Sequence, residues 1–176
     1  MQYLDNIFDK KYSDEVAHIL RNDTPWFSNN IANRFSWPYK FKGSHILLGS
    51  KIFRCIDTYK YEYHPNKEFA FSLIDAFHQI SFRFQKKLIL KGISANLQLK
   101  GMDGTLHTDG DSDTTVFIYM LTDDYTDDNL GGEFYNDTLK ETVSFRHGRV
   151  IEMNASDEHN GRSFNQNNKI YRRKYK

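Results

Sequence analysis

The second half of the chain is a succession of short segments that are separated by turn-forming residues. In the segment over residues 93–100, apolar and polar side chains alternate, which is the period of a half-buried β-strand. Eight short strands in about 80 residues favour a compact two-sheet jelly roll or barrel. The predicted strands cover residues 93–100, 104–109, 114–121, 132–136, 142–146, 149–154, 158–164 and 169–174.

The first 91 residues have a different pattern, typical of a helical and mixed support layer. Ser13 can cap a short helix over residues 14–21. After Pro65, apolar side chains recur every three or four positions through about residue 87, which predicts a longer helix. The predicted fold class is therefore α+β and mainly β, with N-terminal helices that support a β core.

Length and composition favour one domain over residues 1–176, with a support region at 1–91 and a core at 92–176. A hydrophobic content of 39% is enough for a substantial core. The formal net charge of +1 gives no global argument for binding nucleic acid or a membrane surface. The single cysteine, Cys55, excludes an internal disulfide, and no stretch is typical of a signal peptide or membrane span. We therefore expect a cytoplasmic protein.

His107, Asp109 and the distant His159 form the most informative set of polar residues. Two residues that are two positions apart on an extended strand point to the same side, and a second strand can bring His159 to that side. Two histidines and one carboxylate form the three-ligand face that holds iron(II) and leaves coordination positions open. The predicted placement on the second and seventh strands lets the three side chains converge, so we expect a metal site here.

Two other interpretations of local patterns are weaker. The run that begins at Asp109 resembles the start of a calcium loop, but Thr114 and Met120 stand where that loop needs Gly and Glu. The tyrosines between Tyr59 and Tyr63 can line a substrate groove, although such residues more often cover a sheet edge.

Several stretches in the second half match one known family. They are HTD at 107–109, VFIYML at 116–121, LGGEF at 130–134 and HGRVI at 147–151, together with Gly101, His159 and Lys169. On these residues, the region 92–176 resembles the 2-oxoglutarate and iron(II)-dependent oxygenases, in particular the prolyl 4-hydroxylase-like branch with its compact bacterial and phage forms. The resemblance implies a double-stranded β-helix, with Fe(II), 2-oxoglutarate and O2 at the site and ascorbate as a candidate reductant.

The resemblance also assigns roles to particular residues. It implies that His107, Asp109 and His159 bind the iron. Lys169 lies ten residues after His159, where this branch places the cation that pairs with the distal carboxylate of 2-oxoglutarate. Other cations compete for that role, and they are Arg162, Arg172 and Arg173.

The chain departs from the family nine residues before the first iron-binding histidine. The family often has a tyrosine there, and this chain has Gln98. A glutamine can donate a hydrogen bond to a carboxylate. Tyr119, on the third predicted strand, is a second candidate contact for the cosubstrate.

The family branch implies hydroxylation of an unactivated C–H bond, with a proline-containing peptide or protein as substrate and with release of succinate and CO2. The acidic loop 123–129 either rims the site and favours a basic substrate or is simply a solvated surface. Other candidate substrates are a different amino-acid side chain, a small metabolite and alkylated nucleic acid. The near-neutral net charge argues against nucleic acid. A cupin-like metal-binding module without turnover is the alternative outside the enzymes.

Overall fold

The protein is built from two antiparallel β-sheets and two helices in the part of the chain that a computed structural model describes, residues 1–31, 46–122, 130–164 and 170–175. None of the helices in these ranges is long and apolar enough to cross a membrane. In chain order the elements are β1 (Gln2–Leu4), α1 (Lys10–Asn22), β2 (Phe27–Ile31), β3 (Ile46–Asp57), β4 (Lys60–Tyr63), α2 (Lys67–Arg83), β5 (Gly92–Gln98), β6 (Thr115–Thr122), β7 (Phe134–Asn136), β8 (Glu141–Val143), β9 (Val150–Asn154), β10 (His159–Gly161) and β11 (Ile170–Tyr175).

The larger sheet draws strands from both halves of the chain. Its strand order is β1-β9-β6-β11-β5-β3-β2, and β4 also pairs with β3. The smaller sheet has the order β10-β7-β8. This two-sheet, mainly β architecture confirms the predicted fold class. It also gives residues 1–91 a larger part than support, since β1 and β3 form backbone ladders with β9 and β5.

Both predicted helices form, but α1 begins four residues earlier than predicted, and α2 ends at Arg83 instead of near residue 87. Helix α1 begins at Lys10, and its cap is Asp9, whose carboxylate accepts a hydrogen bond from the backbone N–H of Tyr12. The predicted cap Ser13 was the wrong residue, because Ser13 lies inside the helix and its hydroxyl is 2.6 Å from that of Tyr119. Helix α2 follows Asn66, which caps it in the same way through the N–H of Phe69.

Strand β6 separates two apolar cores. Successive side chains of a strand point to opposite faces of the sheet. Phe117, Tyr119 and Leu121 therefore join the core under the helices, whereas Ile118 and Met120 point between the two sheets. The second core, which we call the inter-sheet core, is formed by buried residues of both sheets. It consists of Val116, Ile118, Met120, Phe134, Val143, Ile151, Met153 and Ala155.

The strands of the smaller sheet are shorter than the sequence pattern predicts. Strand β10 covers three residues of the predicted 158–164, and residues 104–109 form only an isolated bridge instead of a strand. The turn before β7 needs glycine, because Gly132 has a φ of +72° and an added Cβ would lie 1.7 Å from a ring carbon of Phe164. Gly132 thus serves the backbone conformation of this turn.

The N-terminal strand is held on the larger sheet by a charged cluster. Arg149 donates two hydrogen bonds to the carboxylate of Asp5, with distances of 2.7 and 2.9 Å, and Arg146 donates a third at 2.8 Å. The guanidinium of Arg149 also lies 4.4 Å from the ring centre of Tyr3. The hydrogen bonds from Arg149 are the main reason that the pKa of Asp5 lies below its ordinary value of 3.8.

We predict that Asp5→Asn lowers the free energy of unfolding by about 1.5–3 kcal/mol at neutral pH, the usual range for hydrogen bonds to charged groups. Because the pKa of Asp5 is lowered by folding, its contribution is fully present above the unfolded value and is lost as the pH falls through the folded value. Urea denaturation of both proteins between pH 2 and pH 7 measures this difference. The exposed carboxylate of Asp75 provides the control, Asp75→Asn. An Asp5→Asn penalty that is independent of pH would contradict the assignment.

Candidate metal centre

The two histidines of the predicted metal site are direct partners across a pair of antiparallel segments. The N–H of His107 donates to the carbonyl of His159 at 3.1 Å, and the N–H of His159 donates to the carbonyl of His107 at 3.0 Å. Residues that exchange both backbone hydrogen bonds carry their side chains on the same face. The two imidazole rings accordingly lie side by side, with their centres 4.6 Å apart.

Asp109 completes a cluster of three side chains, His107, Asp109 and His159, which we call the triad. Its backbone N–H donates to the carbonyl of Ala155 at 2.8 Å. One carboxylate oxygen lies 3.7 Å from Nε2 of His107, and the other lies 3.4 Å from Nε2 of His159. The candidate ligand atoms of the three residues all lie within 4.8 Å of one another. The structure thus brings the predicted ligands together.

Backbone carbonyls fix the tautomer of both rings. Nδ1 of His107 lies 2.7 Å from the carbonyl oxygen of Thr105, and Nδ1 of His159 lies 2.7 Å from that of Asp157. A carbonyl oxygen only accepts hydrogen bonds, so each Nδ1 carries a proton and donates it. In a neutral imidazole this leaves the lone pair on Nε2, the atom that faces Asp109 in both rings.

The burial of the triad fits a bound cation. The His159 side chain is 1% exposed and that of Asp109 is 7% exposed, whereas that of His107 is 42% exposed. Nε2 of His159 is buried without a hydrogen-bond partner among the described residues. A buried polar atom without a partner is costly, and a metal ion would remove that cost here. Two imidazoles and one carboxylate are also a donor set that suits iron(II).

An apolar side chain packs against the buried part of the triad. The ring of Phe134, from the inter-sheet core, lies with its centre 5.3 Å from that of His159. Solvent reaches the cluster at His107, the exposed member. The triad therefore lies at the margin of the inter-sheet core, with His107 toward solvent.

A further histidine, His147, makes contacts that hold parts of the fold together. Its Nδ1 accepts a hydrogen bond from the backbone N–H of Thr122 at 3.0 Å, and its Nε2 lies 3.3 Å from a carboxylate oxygen of Asp14. Burial lowers the pKa of His147 to about 4, so this ring is neutral at pH 7. Its contacts join α1 to the end of β6.

The structure does not bring all predicted cosubstrate contacts to the triad. Tyr119 lies on the helix-facing side of β6, where its hydroxyl pairs with Ser13, so it faces away from the inter-sheet core. Gln98 is buried, and its side chain reaches the carbonyl of Gly161, two residues after His159. Of the competing cations, Arg162 lies over the ring of Tyr135, with 4.8 Å between guanidinium and ring centre.

Two stretches that the sequence analysis singled out lie outside the described residues. They are Lys169, the predicted anchor of the cosubstrate, and the acidic loop 123–129. Strand β11 begins directly after Lys169, where the backbone of Ile170 pairs with Gln98 of β5 and Thr122 of β6.

Sequence reasoning missed the groups that orient the triad. The carbonyls of Thr105 and Asp157 each stand two residues before a histidine of the triad, but a backbone carbonyl leaves no signal in the sequence. Asn160 was also missed. It is fully buried beside His159, and its amide nitrogen donates to the carbonyl of Gly104 at 2.8 Å. A polar residue next to a predicted ligand was the available signal.

Solved structures share this architecture over nearly the whole chain. An oxidoreductase of the 2OG-Fe(II) oxygenase family from Burkholderia pseudomallei aligns with a TM-score of 0.71 and 13% identity, over 98% of this chain and 83% of that one. The chain has the 2OG-Fe(II) oxygenase fold. No protein-family model matches the sequence, and no curated protein matches it either.

Prolyl hydroxylases are among the structures with the 2OG-Fe(II) oxygenase fold that align with this chain. The viral collagen prolyl hydroxylase of Paramecium bursaria Chlorella virus-1, in its 2OG complex, has a TM-score of 0.61 and 14% identity, over 99% of this chain and 93% of that one. A Trichoplax adhaerens prolyl hydroxylase, in complex with a hypoxia-inducible-factor peptide, has a TM-score of 0.61 and 10% identity, over 99% and 82%. The fold that the sequence resemblance implies is thereby confirmed.

We predict that His159→Ala and Asp109→Ala each weaken Fe(II) binding at least tenfold, because each removes a ligand from a three-ligand site. Anaerobic calorimetry with Fe(II), or with Co(II) as a spectroscopic substitute, measures the affinity. His18→Ala is the matched control, because His18 is an exposed histidine on α1. Equal losses in His18→Ala and His159→Ala would mean that the metal binds elsewhere.

Proposed function

We propose that the protein is an Fe(II)- and 2-oxoglutarate-dependent dioxygenase that hydroxylates an unactivated C–H bond of a peptidyl proline. The observation that carries the proposal is the triad, in which two Nε2 atoms and a carboxylate converge at the margin of an apolar core. The 2OG-Fe(II) oxygenase fold supports the same conclusion. His107, Asp109 and His159 would hold the metal.

The chain's own groups would prepare this site before any ligand binds. The carbonyls of Thr105 and Asp157 hold both imidazoles with Nε2 toward the metal position, so that little reorganisation accompanies binding. When bound, Fe(II) with 2-oxoglutarate supplies the oxidation, in which one atom of O2 enters the substrate C–H bond and the other enters succinate as CO2 leaves. The protein's tasks are to orient the substrate and to exclude water.

Lys169 is proposed as the cation that pairs with the distal carboxylate of 2-oxoglutarate. Its support is its spacing of ten residues from His159 and its position directly before β11. A carboxylate that leaves water needs such a partner, because its desolvation is costly without one.

The proposed substrate is a proline-containing peptide or protein. Two proteins of the same fold are prolyl hydroxylases, one for collagen and one in complex with a peptide. The exposed His107 side chain also leaves one side of the triad open to a large substrate. The same chemistry on another side chain, a metabolite or a nucleic acid would use the same triad, so the experiment includes those substrates.

The test is succinate formation from 2-oxoglutarate by Fe(II)-loaded protein, with and without peptides that contain proline. We expect proline-containing peptides to stimulate turnover and to gain 16 Da. With the His159→Ala variant, we expect neither stimulation nor a mass gain. Matched peptides with alanine in place of proline are the substrate control. If only a different substrate class stimulates turnover, proline is not the substrate. If no substrate class stimulates turnover, the proposal that the protein is a dioxygenase is contradicted.

Two variants in the same assay address the cosubstrate anchor. Lys169→Ala should raise the KM for 2-oxoglutarate by about ten- to one hundredfold, the effect of losing a charged hydrogen bond. Lys169→Arg should restore part of it. A larger effect from Arg172→Ala than from Lys169→Ala would transfer the role to Arg172.

A further inference from the structure

Two buried side-chain amides join the segment before His107 to the strand that contains His159. Nε2 of Gln98 donates to the carbonyl of Met102 at 2.8 Å and to that of Gly161 at 2.7 Å. Nδ2 of Asn160 donates to the carbonyl of Gly104 at 2.8 Å. Gln98 is 7% exposed and Asn160 is 0% exposed. We call this pair of side chains the amide clamp.

The chemistry of a primary amide decides what Gln98 can do. Its nitrogen carries two hydrogens, and its oxygen only accepts hydrogen bonds. Both hydrogens have carbonyl acceptors here, and a flipped amide would place its oxygen against two carbonyl oxygens. Only Oε1 remains, and it cannot donate to a carboxylate. The role of cosubstrate contact that the resemblance suggests for Gln98 is therefore incompatible with these contacts.

The backbone at this junction offers few hydrogen bonds of its own. Residues 104–107 form no strand and bridge to β10 only at His107 and His159. One more backbone bond joins the N–H of Gly104 to the carbonyl of Gly161, at 2.8 Å. The amide clamp adds side-chain hydrogen bonds between residues 102–104 and residues 160–161. Register matters at this point, because a slip of one residue would turn His107 to the opposite face.

We propose that Gln98 and Asn160 are positioning residues that fix the register between residues 102–107 and β10, and so hold His107 and His159 as a pair. A buried amide is costly unless it is bonded, and Oδ1 of Asn160 has no partner among the described residues. An apolar residue at 160 would avoid that cost, but it would lose the bond to Gly104. The effect on catalysis rests on the proposed function, whereas the effect on register does not.

The test compares Gln98→Met, which keeps the size of the side chain and removes both donors, with Gln79→Met on the exposed face of α2. In the metal-free protein, we expect hydrogen exchange at the amides of Gly104 and His107 to accelerate at least tenfold in Gln98→Met only. Fe(II) affinity should fall by about ten- to one hundredfold, as for other residues that orient metal ligands. With saturating metal, the KM for 2-oxoglutarate should be unchanged.

The opposite pattern would overturn the proposal. If Gln98→Met raises the KM for 2-oxoglutarate while exchange and metal affinity stay as in the parent, Gln98 is a cosubstrate contact. No change in any of the three measurements would also overturn it. If Gln98→Met fails to fold, Gln98→Asn, which keeps the amide but is too short to reach both carbonyls, should show the same exchange and affinity effects, and their absence would overturn the proposal.

Exchange and metal affinity need no turnover, so they separate this proposal from the proposed function. Faster exchange and weaker metal binding in Gln98→Met, in a protein that never consumes 2-oxoglutarate, would support the amide clamp and contradict the dioxygenase.

Discussion

The reciprocal backbone hydrogen bonds between His107 and His159 are the interaction on which the site depends. They join two segments that are distant in sequence, at 3.1 and 3.0 Å, and they set both imidazoles on one face. Asp109 returns to that face two residues later, and the bond from its N–H to Ala155 holds it there. The geometry of a three-ligand site thus follows from pairing two backbones in one register.

This register joins His107, which lies outside the strands, to β10 of the smaller sheet. Strands β7, β8 and β10 have three residues each, so their ladders contain few bonds. Other groups supplement them. The carbonyls of Thr105 and Asp157 orient the rings, and the amide clamp ties residues 102–104 to β10. A metal ion bound by the triad would join the same segments, and ligand binding to the folded state alone stabilises it.

The sequence predicted the parts of the fold that depend on local pattern. The alternation after residue 92 predicted β5, and periodicity after Pro65 predicted α2. Features that depend on contacts between distant residues were harder to predict from the sequence. Asp9 and Ser13 are both good cap residues. Asp9 caps α1, whereas the hydroxyl of Ser13 pairs with that of Tyr119, which is distant in sequence. The predicted lengths of the strands in the smaller sheet were also too long.

The candidate metal ligands could be predicted from the sequence, whereas the groups around them could not, for physical reasons. The triad combines residue types that bind metal with predicted positions on strands that can bring them together. Tyr119 belongs to a strand that is apolar on both faces, so its pattern could not indicate which core it enters. For Gln98, its position was evident from the resemblance, but its role is decided by two carbonyls, one of them 63 residues away. Backbone acceptors of this kind become visible only in three dimensions.

X-ray absorption at the iron edge of the Fe(II)-loaded protein tests the central claim, that the triad provides two imidazoles and one carboxylate to the metal. We expect scattering from two imidazoles, which falls to one in His107→Ala and is unchanged in His147→Ala. Scattering from a third imidazole, or an unchanged spectrum in His107→Ala, would contradict the account.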